Sequence, residues 1–343
     1  MSPINQRRIA NFRANRRALW SLRIFLVLFV ITLCAEMIAN DRPIIMVLNG
    51  KLFVPMLVDY AETELGGELP STADFRDPFV ADLISDGVVL WPPIRYSHNT
   101  INWNVELPLP HPPDSEHWLG TDSTGNDVLA KLIYGFRLSV LFGLSMTILA
   151  SAIGITVGAL QGYFGGLTDL IGQRMVEIWT GLPVLFVLII LNSIVEPTFF
   201  WMLVTLTLFS WMALTGVVRA EFLRARNFEF VRAARAMGVG NVTIMFRHVL
   251  PNAMTAALTY TPFLLNSSIA TLTALDFLNL GLPLDYPSLG RLLTQAQANL
   301  QAPWLGLSVF VTLATMLTLL IFVGEGVRDA FDPRRSIGTT RNV

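Results

Sequence analysis

Few residues in this chain are of types and spacings that do covalent or metal chemistry. The sequence holds no G-x-x-x-x-G-K-[ST] phosphate loop and no H-E-x-x-H pair. Its one cysteine, Cys34, and its four histidines, His98, His111, His117 and His248, show no metal-ligand spacing. The polar turn from Asp122 to Asp127 lacks the alternating oxygens and closing glutamate of a calcium loop, so no metal site is expected. Glu36, Glu177, Glu196 and Asp276 stand alone near the ends of apolar runs, where snorkelling or capping is inexpensive. No catalytic residue is expected, and the missing phosphate loop excludes ATP hydrolysis by this chain alone. What remains is mechanical. Residues 231–253 read VRAARAMGVGNVTIMFRHVLPNA, an arginine-studded helix, a glycine turn and a second short helix stopped by proline.

The elements that must position this segment are membrane helices. The chain is 53% hydrophobic and only 14% charged, with a mean hydropathy of +0.54, far from the soluble average. Apolar runs at 19–39, 138–160, 175–195, 199–218, 254–276 and 304–326 predict six transmembrane helices and an all-α polytopic membrane fold. A β-barrel is excluded because its strands alternate apolar and polar residues, whereas ALWSLRIFLVLFVITLCAEMIA is apolar nearly throughout. A cleaved signal peptide is not expected at the first run, which is too long and lacks an A-x-A site. One cysteine permits no internal disulfide, and Cys34 reads as a buried apolar thiol.

Basic residues resist translocation and so set the orientation. Arg7, Arg8, Arg13, Arg16 and Arg17 precede the first run. Six arginines fall in the 219–252 loop, and Arg328, Arg334, Arg335 and Arg341 follow the last run. All three regions agree on a cytoplasmic amino terminus, carboxyl terminus and loop. The domain plan is a tail at 1–18, a first span at 19–39, an external insert at 41–117, a core of five spans at 118–334 and a tail at 335–343. The insert carries twelve Asp plus Glu against four Lys plus Arg. Apolar pieces such as IIMVL and VVLWPPI, among many prolines, predict a small irregular subdomain there.

Two patterns inside the spans have competing explanations. In the fifth, Asn266, Ser267, Ser268 and Thr271 follow Pro262, giving a kinkable helix with a polar stripe. Such a stripe can line a translocation path or hold helices together by hydrogen bonds and close approach. In the second, Gly154, Gly158 and Gly162 align at i and i+4 and, with Gly143, predict a tight interhelical seam.

In the 219–252 loop, a helix from 219 to 237 should end at Gly238 in a left-handed conformation. Asn241 should cap a second helix, 242–250, that Pro251 terminates. This helix is expected to present Met245 and Val249, with Arg247 and His248 beside them. A DNA-binding helix-turn-helix is disfavoured because both ends of the loop are pinned to the bilayer, so no nucleic-acid partner is expected. A merely lipid-attracted basic loop would explain the arginines but not the Gly238-to-Pro251 punctuation.

That segment resembles the EAA loop of ABC importer permeases, whose pattern is E-A-A, three residues, glycine, nine residues, then I-x-L-P. Ala233, Ala234, Gly238, Leu250 and Pro251 fall in register, while Arg232 stands where glutamate is expected and His248 where isoleucine is. The R-H-x-L-P-N ending, HWLGTDSTGNDVLAKLIYG, LDFLNLGLPLDYPSLGRLL and PWLGLSVF through GEGVRDAFDPR resemble the peptide and nickel branch of that family. The acidic insert and the amino-terminal sequence further resemble permeases of importers for oligopeptides and the peptide-nucleotide antibiotic microcin C.

The resemblance implies a type I ABC importer permease fold in a Gram-negative inner membrane. It also implies a homologous second permease, ATP-binding cassette subunits that hold ATP and magnesium, and a periplasmic peptide-binding protein. No cofactor is expected on this chain. Arg232, Ala233, Ala234, Gly238, Met245, Arg247, His248, Leu250 and Pro251 would then couple to the ATPase subunits. Binding-protein docking is expected at the outer loops, including the insert and residues 277–303. The competing class, an ion- or proton-coupled secondary transporter, calls for inverted repeats and mid-membrane ionisable residues that the sequence does not display.

Overall fold

The computed structural model describes residues 3–102 and 108–332. The orienting arginines Arg334, Arg335 and Arg341 and the expected tail 335–343 lie outside them. In chain order the elements are α1 Pro3–Ala14, α2 Arg16–Leu33, α3 Ala35–Ile38, β1 Ile45–Leu48, β2 Lys51–Phe53, α4 Pro78–Leu83 and β3 Val88–Leu90. They continue with α5 Val128–Phe164, α6 Gly166–Thr180, α7 Val184–Ile194, α8 Phe199–Ala225, α9 Glu229–Ala236, α10 Asn241–Thr243, a π-helical turn Ile244–Val249, α11 Leu250–Phe277, α12 Leu289–Ala298 and α13 Pro303–Phe331. Two compact units result. The first comprises Met1–Leu26, Ser139–Pro283 and Ala314–Val343, the second Val27–Leu138 and Leu284–Leu313.

Among the described residues, α5, α8 and α13 are each long and apolar enough to cross a membrane. The run expected as one straight span at 175–195 is instead the pair α6 and α7, bent by 72°. Gly181, Leu182 and Pro183 separate the two, and Pro183, with no N–H to donate, starts the new helix as its cap. Two more of the six expected spans fall short of the same apolar measure. Helix α2 carries Arg16, Arg17 and Arg23 within 18 residues, and α11 is diluted by Asn266, its neighbouring serines and its threonines. Within the expected amino-terminal tail, Pro3–Ala14 form helix α1. Cys34, expected to be buried, is exposed.

Within the first unit the expected glycine seam is present. A Cβ on Gly154 would sit 2.6 Å from the Trp211 carbonyl oxygen, one on Gly158 2.7 Å from that of Thr215, and one on Gly162 2.6 Å from that of Arg219. Each helix thus presents the same four-residue spacing to the other, and backbone lies on backbone along α5 and α8. Gly143 instead makes room for a side chain, since a Cβ there would sit 2.7 Å from Ile269 Cγ1 of α11.

The second unit contains the insert. Asn49 and Gly50, with φ of 53° and 74°, supply the two left-handed residues of a tight hairpin between β1 and β2. The three antiparallel strands lie in the order β2-β1-β3. Met46, Leu48 and Phe53 pack from the sheet onto Leu65, Phe75, Val80 and Ile84. A second cluster ties Ala35 and Ala39 to Ile94, Tyr96, Ala130 and Tyr134. Around it the Tyr134 hydroxyl donates to the Ala39 carbonyl at 2.9 Å, and Arg137 donates to both Glu36 oxygens at 2.8 and 2.9 Å.

The polar turn before α5 is a helix start. Asp127 accepts from the Ala130 N–H at 2.7 Å and pairs through its other oxygen with His117 Nδ1 at 2.8 Å, both side chains being buried. Asp122 accepts from Thr124 and Asn126 N–H groups and forms an ion pair with Lys131. Burial by itself would raise the Asp122 carboxyl, but the Lys131 ammonium beside it outweighs that and holds it below the ordinary carboxylate range. A carboxyl depressed in the folded state stabilises fully above its unfolded pKa of about 3.9 and loses that contribution as pH falls through the folded value. The Asp122 contribution to the unfolding free energy of this unit is therefore expected to be flat from neutrality to about pH 5 and to fall below about pH 4. Asp122→Asn should cost on the order of 1.5–3 kcal/mol at neutral pH and flatten the acid limb. Hydrogen exchange at the first turns of α5 measures both; an acid limb identical in the variant would count against this role.

Candidate functional site

The segment between α8 and α11 is built into the helices it joins. Helix α8 ends at Ala225, and Phe228, with extended backbone, caps α9. The single helix expected over 219–237 is thus broken at 226–228, where Asn and Phe are weaker helix formers than the Ala and Arg around them. Gly238 ends α9 in the expected left-handed conformation, at φ 76°. The Val239 N–H reaches back to the Ala234 carbonyl at 3.1 Å, a six-to-one closure that needs a residue able to take positive φ.

Two expectations for the next helix fail. Asn241 is not a cap: Gly240 occupies that position, and Asn241 accepts a hydrogen bond from the Tyr163 hydroxyl at 2.9 Å. Pro251 does not stop the helix. The preceding turn is π-helical, with the Leu250 N–H bonded to the Met245 carbonyl, and Pro251 enters the first turn of α11, where a missing N–H is tolerated. The His248 carbonyl is served instead by the Asn252 side chain at 3.0 Å.

Burial divides the expected coupling residues into two sets. Met245 and Val249 do share a face, but that face points into the protein. They join Ile244, Val231 and Ala234 in one core with Ala159 and Tyr163 of α5, Leu214, Val218 and Phe222 of α8, and Ala253 and Ala257 of α11. Met245 is therefore unavailable to another subunit, and so is Ala234. Arg232, Ala233, Gly238, Arg247 and Pro251 are exposed, while His248 and Leu250 are partly buried.

The outward apolar residues are ones that the sequence reading passed over: Met237, Val242 and Phe246, exposed by 76%, 65% and 57%. The four-residue spacing from Val242 to Phe246 was the available signal. At the far end of the same arm, Arg219 donates to both oxygens of Asp169 at 2.5 and 2.7 Å, tying α8 to α6.

A cavity of about 450 Å³ lies elsewhere in the first unit. Ser267, Ser268 and Thr271 line it together with Tyr260, Phe209 and Met146. Asn266, expected beside them, does not line it. Its Oδ1 is buried with no hydrogen-bond partner among the described residues. The Ser268 hydroxyl donates to the Leu264 carbonyl at 2.8 Å, within its own helix, so Ser267 and Thr271 are the freer polar groups facing the space.

An outward apolar and basic surface fused through one core to long apolar helices is the arrangement of a polytopic membrane protein. Comparison with known proteins gives the class its family. Residues 154–337 match the model of the binding-protein-dependent transport system inner membrane component, and the chain belongs to this family. It is thus the membrane permease component of an ABC transporter, with ATP hydrolysis on a separate subunit.

The chain is 55% identical over 338 residues to the inner membrane ABC transporter permease protein YejE of Escherichia coli K12, covering 98% of this chain and 99% of that one. It is 53% identical to the peptidoglycan transport system permease protein YejE of Agrobacterium fabrum, covering 98% and 94%. An inward-facing structure of the MetNI methionine ABC transporter shares the fold, with a TM-score of 0.50 at 19% identity over 59% of this chain and 96% of that one.

Proposed function

We propose that this chain forms half of the path of an ATP-driven importer for peptides, free or as the peptide stems of peptidoglycan. A homologous permease supplies the other half. The cassette subunits that bind ATP and magnesium sit against the exposed Met237, Val242 and Phe246 surface with Arg232 and Arg247 at its edges. Both termini and this surface face the cytoplasm, the insert faces outward, and a periplasmic peptide-binding protein docks on the outer loops.

The observation that carries the reading is the single core shared by α9, the π-turn, α5, α8 and α11. Motion imposed on the short helices reaches the long ones through packed side chains, which are close-packed and transmit displacement rather than absorb it. Helix α11 then moves Ser267, Ser268 and Thr271 with it, changing the wall of the path. The resemblance to the peptide branch and the name of the Agrobacterium relative support the peptide class.

The test is reconstitution of the complete assembly in proteoliposomes with its binding protein. Uptake of labelled oligopeptide should require ATP and persist when the proton gradient is collapsed. Uptake that follows the proton gradient without ATP would overturn the proposal in favour of a secondary transporter.

A further inference from the structure

The insert's sheet has one face buried on the insert's own core and another that is wholly aliphatic. The β1 burial pattern alternates, so Met46 and Leu48 point inward while Ile45 and Val47 point out. The strand register places Leu52 and Val88 on either side of Val47, and Leu90 beside Ile45. Five aliphatic side chains therefore form two adjoining rows, with Leu52, Val88 and Leu90 exposed by 65%, 78% and 57%. An antiparallel sheet bathed in water normally turns polar residues outward, and a contiguous apolar patch marks a contact surface.

We infer that this face rests on the outer surface of the lipid bilayer. This rests on the reading that α2 and α5 cross the membrane. Three observations favour lipid over protein. First, the tether is short. Arg137, paired with Glu36, is the last charge before the long apolar run of α5 and marks the membrane boundary. One turn away Tyr134 bonds Ala39, and Ala39 bridges to Ile94. Leu90 lies four residues before Ile94, so the sheet is at most about 14 Å of extended chain from the Ala39–Ile94 bridge.

Second, the same unit exposes other apolar surface: Val27, Val30, Ile31, Leu33 and Met37 along α2 and α3. Third, the face has the chemistry of a lipid contact. It carries no aromatic, amide or guanidinium group of the kind that anchors protein interfaces. Lys51, exposed and paired with Leu48, stands at the hairpin end of the sheet. A long basic side chain at the rim of an aliphatic face suits the headgroup layer, where such side chains reside.

The test uses the full assembly in nanodiscs, without binding protein, after Cys34→Ser. An environment-sensitive fluorophore is placed on Val88→Cys or Leu52→Cys. Comparison labels go on Ser71→Cys, a polar exposed site of the insert, and on Ile148→Cys and Phe310→Cys, exposed sites of α5 and α13. Lipids carrying a headgroup-level spin quencher should quench the Val88 and Leu52 labels at least threefold more than the Ser71 label. Oxygen and a water-soluble nickel complex, applied to spin labels at the same sites, should show a shift toward oxygen access at Val88 and Leu52.

Water-like emission and equal nickel access at Val88, Leu52 and Ser71, with lipid access at Ile148 and Phe310, would overturn this inference alone. Water-like behaviour at Ile148 and Phe310 as well would overturn the membrane placement beneath it. Protection at Val88 that arises only when binding protein is added would also overturn it, assigning the face to that protein.

Discussion

A Gly238→Val chain is expected to insert, fold and assemble, yet to lose ATP-driven uptake by at least tenfold. Nothing lies within 4 Å of where a Cβ at Gly238 would sit, so crowding is not the problem. The backbone is. At φ 76° a non-glycine residue costs of the order of 1–3 kcal/mol, and a β-branched one is at the unfavourable end. The strain is relieved by opening the turn that bonds Val239 to Ala234, which changes the placement of α9 against the π-turn. That cost is too small to unfold the chain but large enough to displace the outward surface. Asparagine tolerates positive φ better than other residues, so Gly238→Asn should retain much of the uptake and Gly238→Ala should fall between. Parallel measurements of uptake and of ATP turnover in proteoliposomes decide the matter. Wild-type uptake by the valine variant would remove this turn from the coupling route.

The second large effect is on folding. Gly158→Leu is expected to abolish recovery of folded protein, because the first added atom already falls 2.7 Å from the Thr215 carbonyl and 3.0 Å from Val218 Cβ. Backbone cannot step aside as a side-chain tip can, so α5 and α8 would have to part. Overpacking costs about 1–3 kcal/mol where a core adjusts locally, and separation of two membrane helices forfeits contacts along their whole seam. Gly216→Leu is the control, since a Cβ on Gly216 of α8 meets nothing within 4 Å. Gel filtration of fluorescently tagged variants and resistance to trypsin report the outcome. Equal yields of the two leucine variants would mean that the helices do not meet along this line.

Some of this was legible in the residues. The i and i+4 glycines implied close helix approach, and the arrangement found at Gly154, Gly158 and Gly162 follows from spacing alone. Gly238 announced its left-handed turn because a glycine after an Ala- and Arg-rich helix has a local reason to be there. The Asn49-Gly50 dipeptide equally carried a hairpin signal that went unread beside the prolines of the insert. The failures share a cause. Pro251 and Asn241 were assigned by local rules, but a π-turn widened the helix enough to take the proline, and Tyr163, 78 residues away in sequence, claimed the asparagine.

Sequence by itself determined what depends on composition and short-range sterics: a helical membrane chain without a phosphate-binding loop, a seam of small residues and a glycine-hinged loop in a recognisable register. Tertiary structure decided direction. Periodicity showed that Met245 and Val249 share a face, but which side of a short helix is buried depends on what packs against it. Here α5, α8 and α11 claim that face and leave Met237, Val242 and Phe246 outside. The same holds for Asn266 and Ser267, adjacent in sequence, of which only Ser267 faces the cavity. Burial is a property of neighbours brought from elsewhere in the chain, and a linear pattern cannot say which of its faces they will cover.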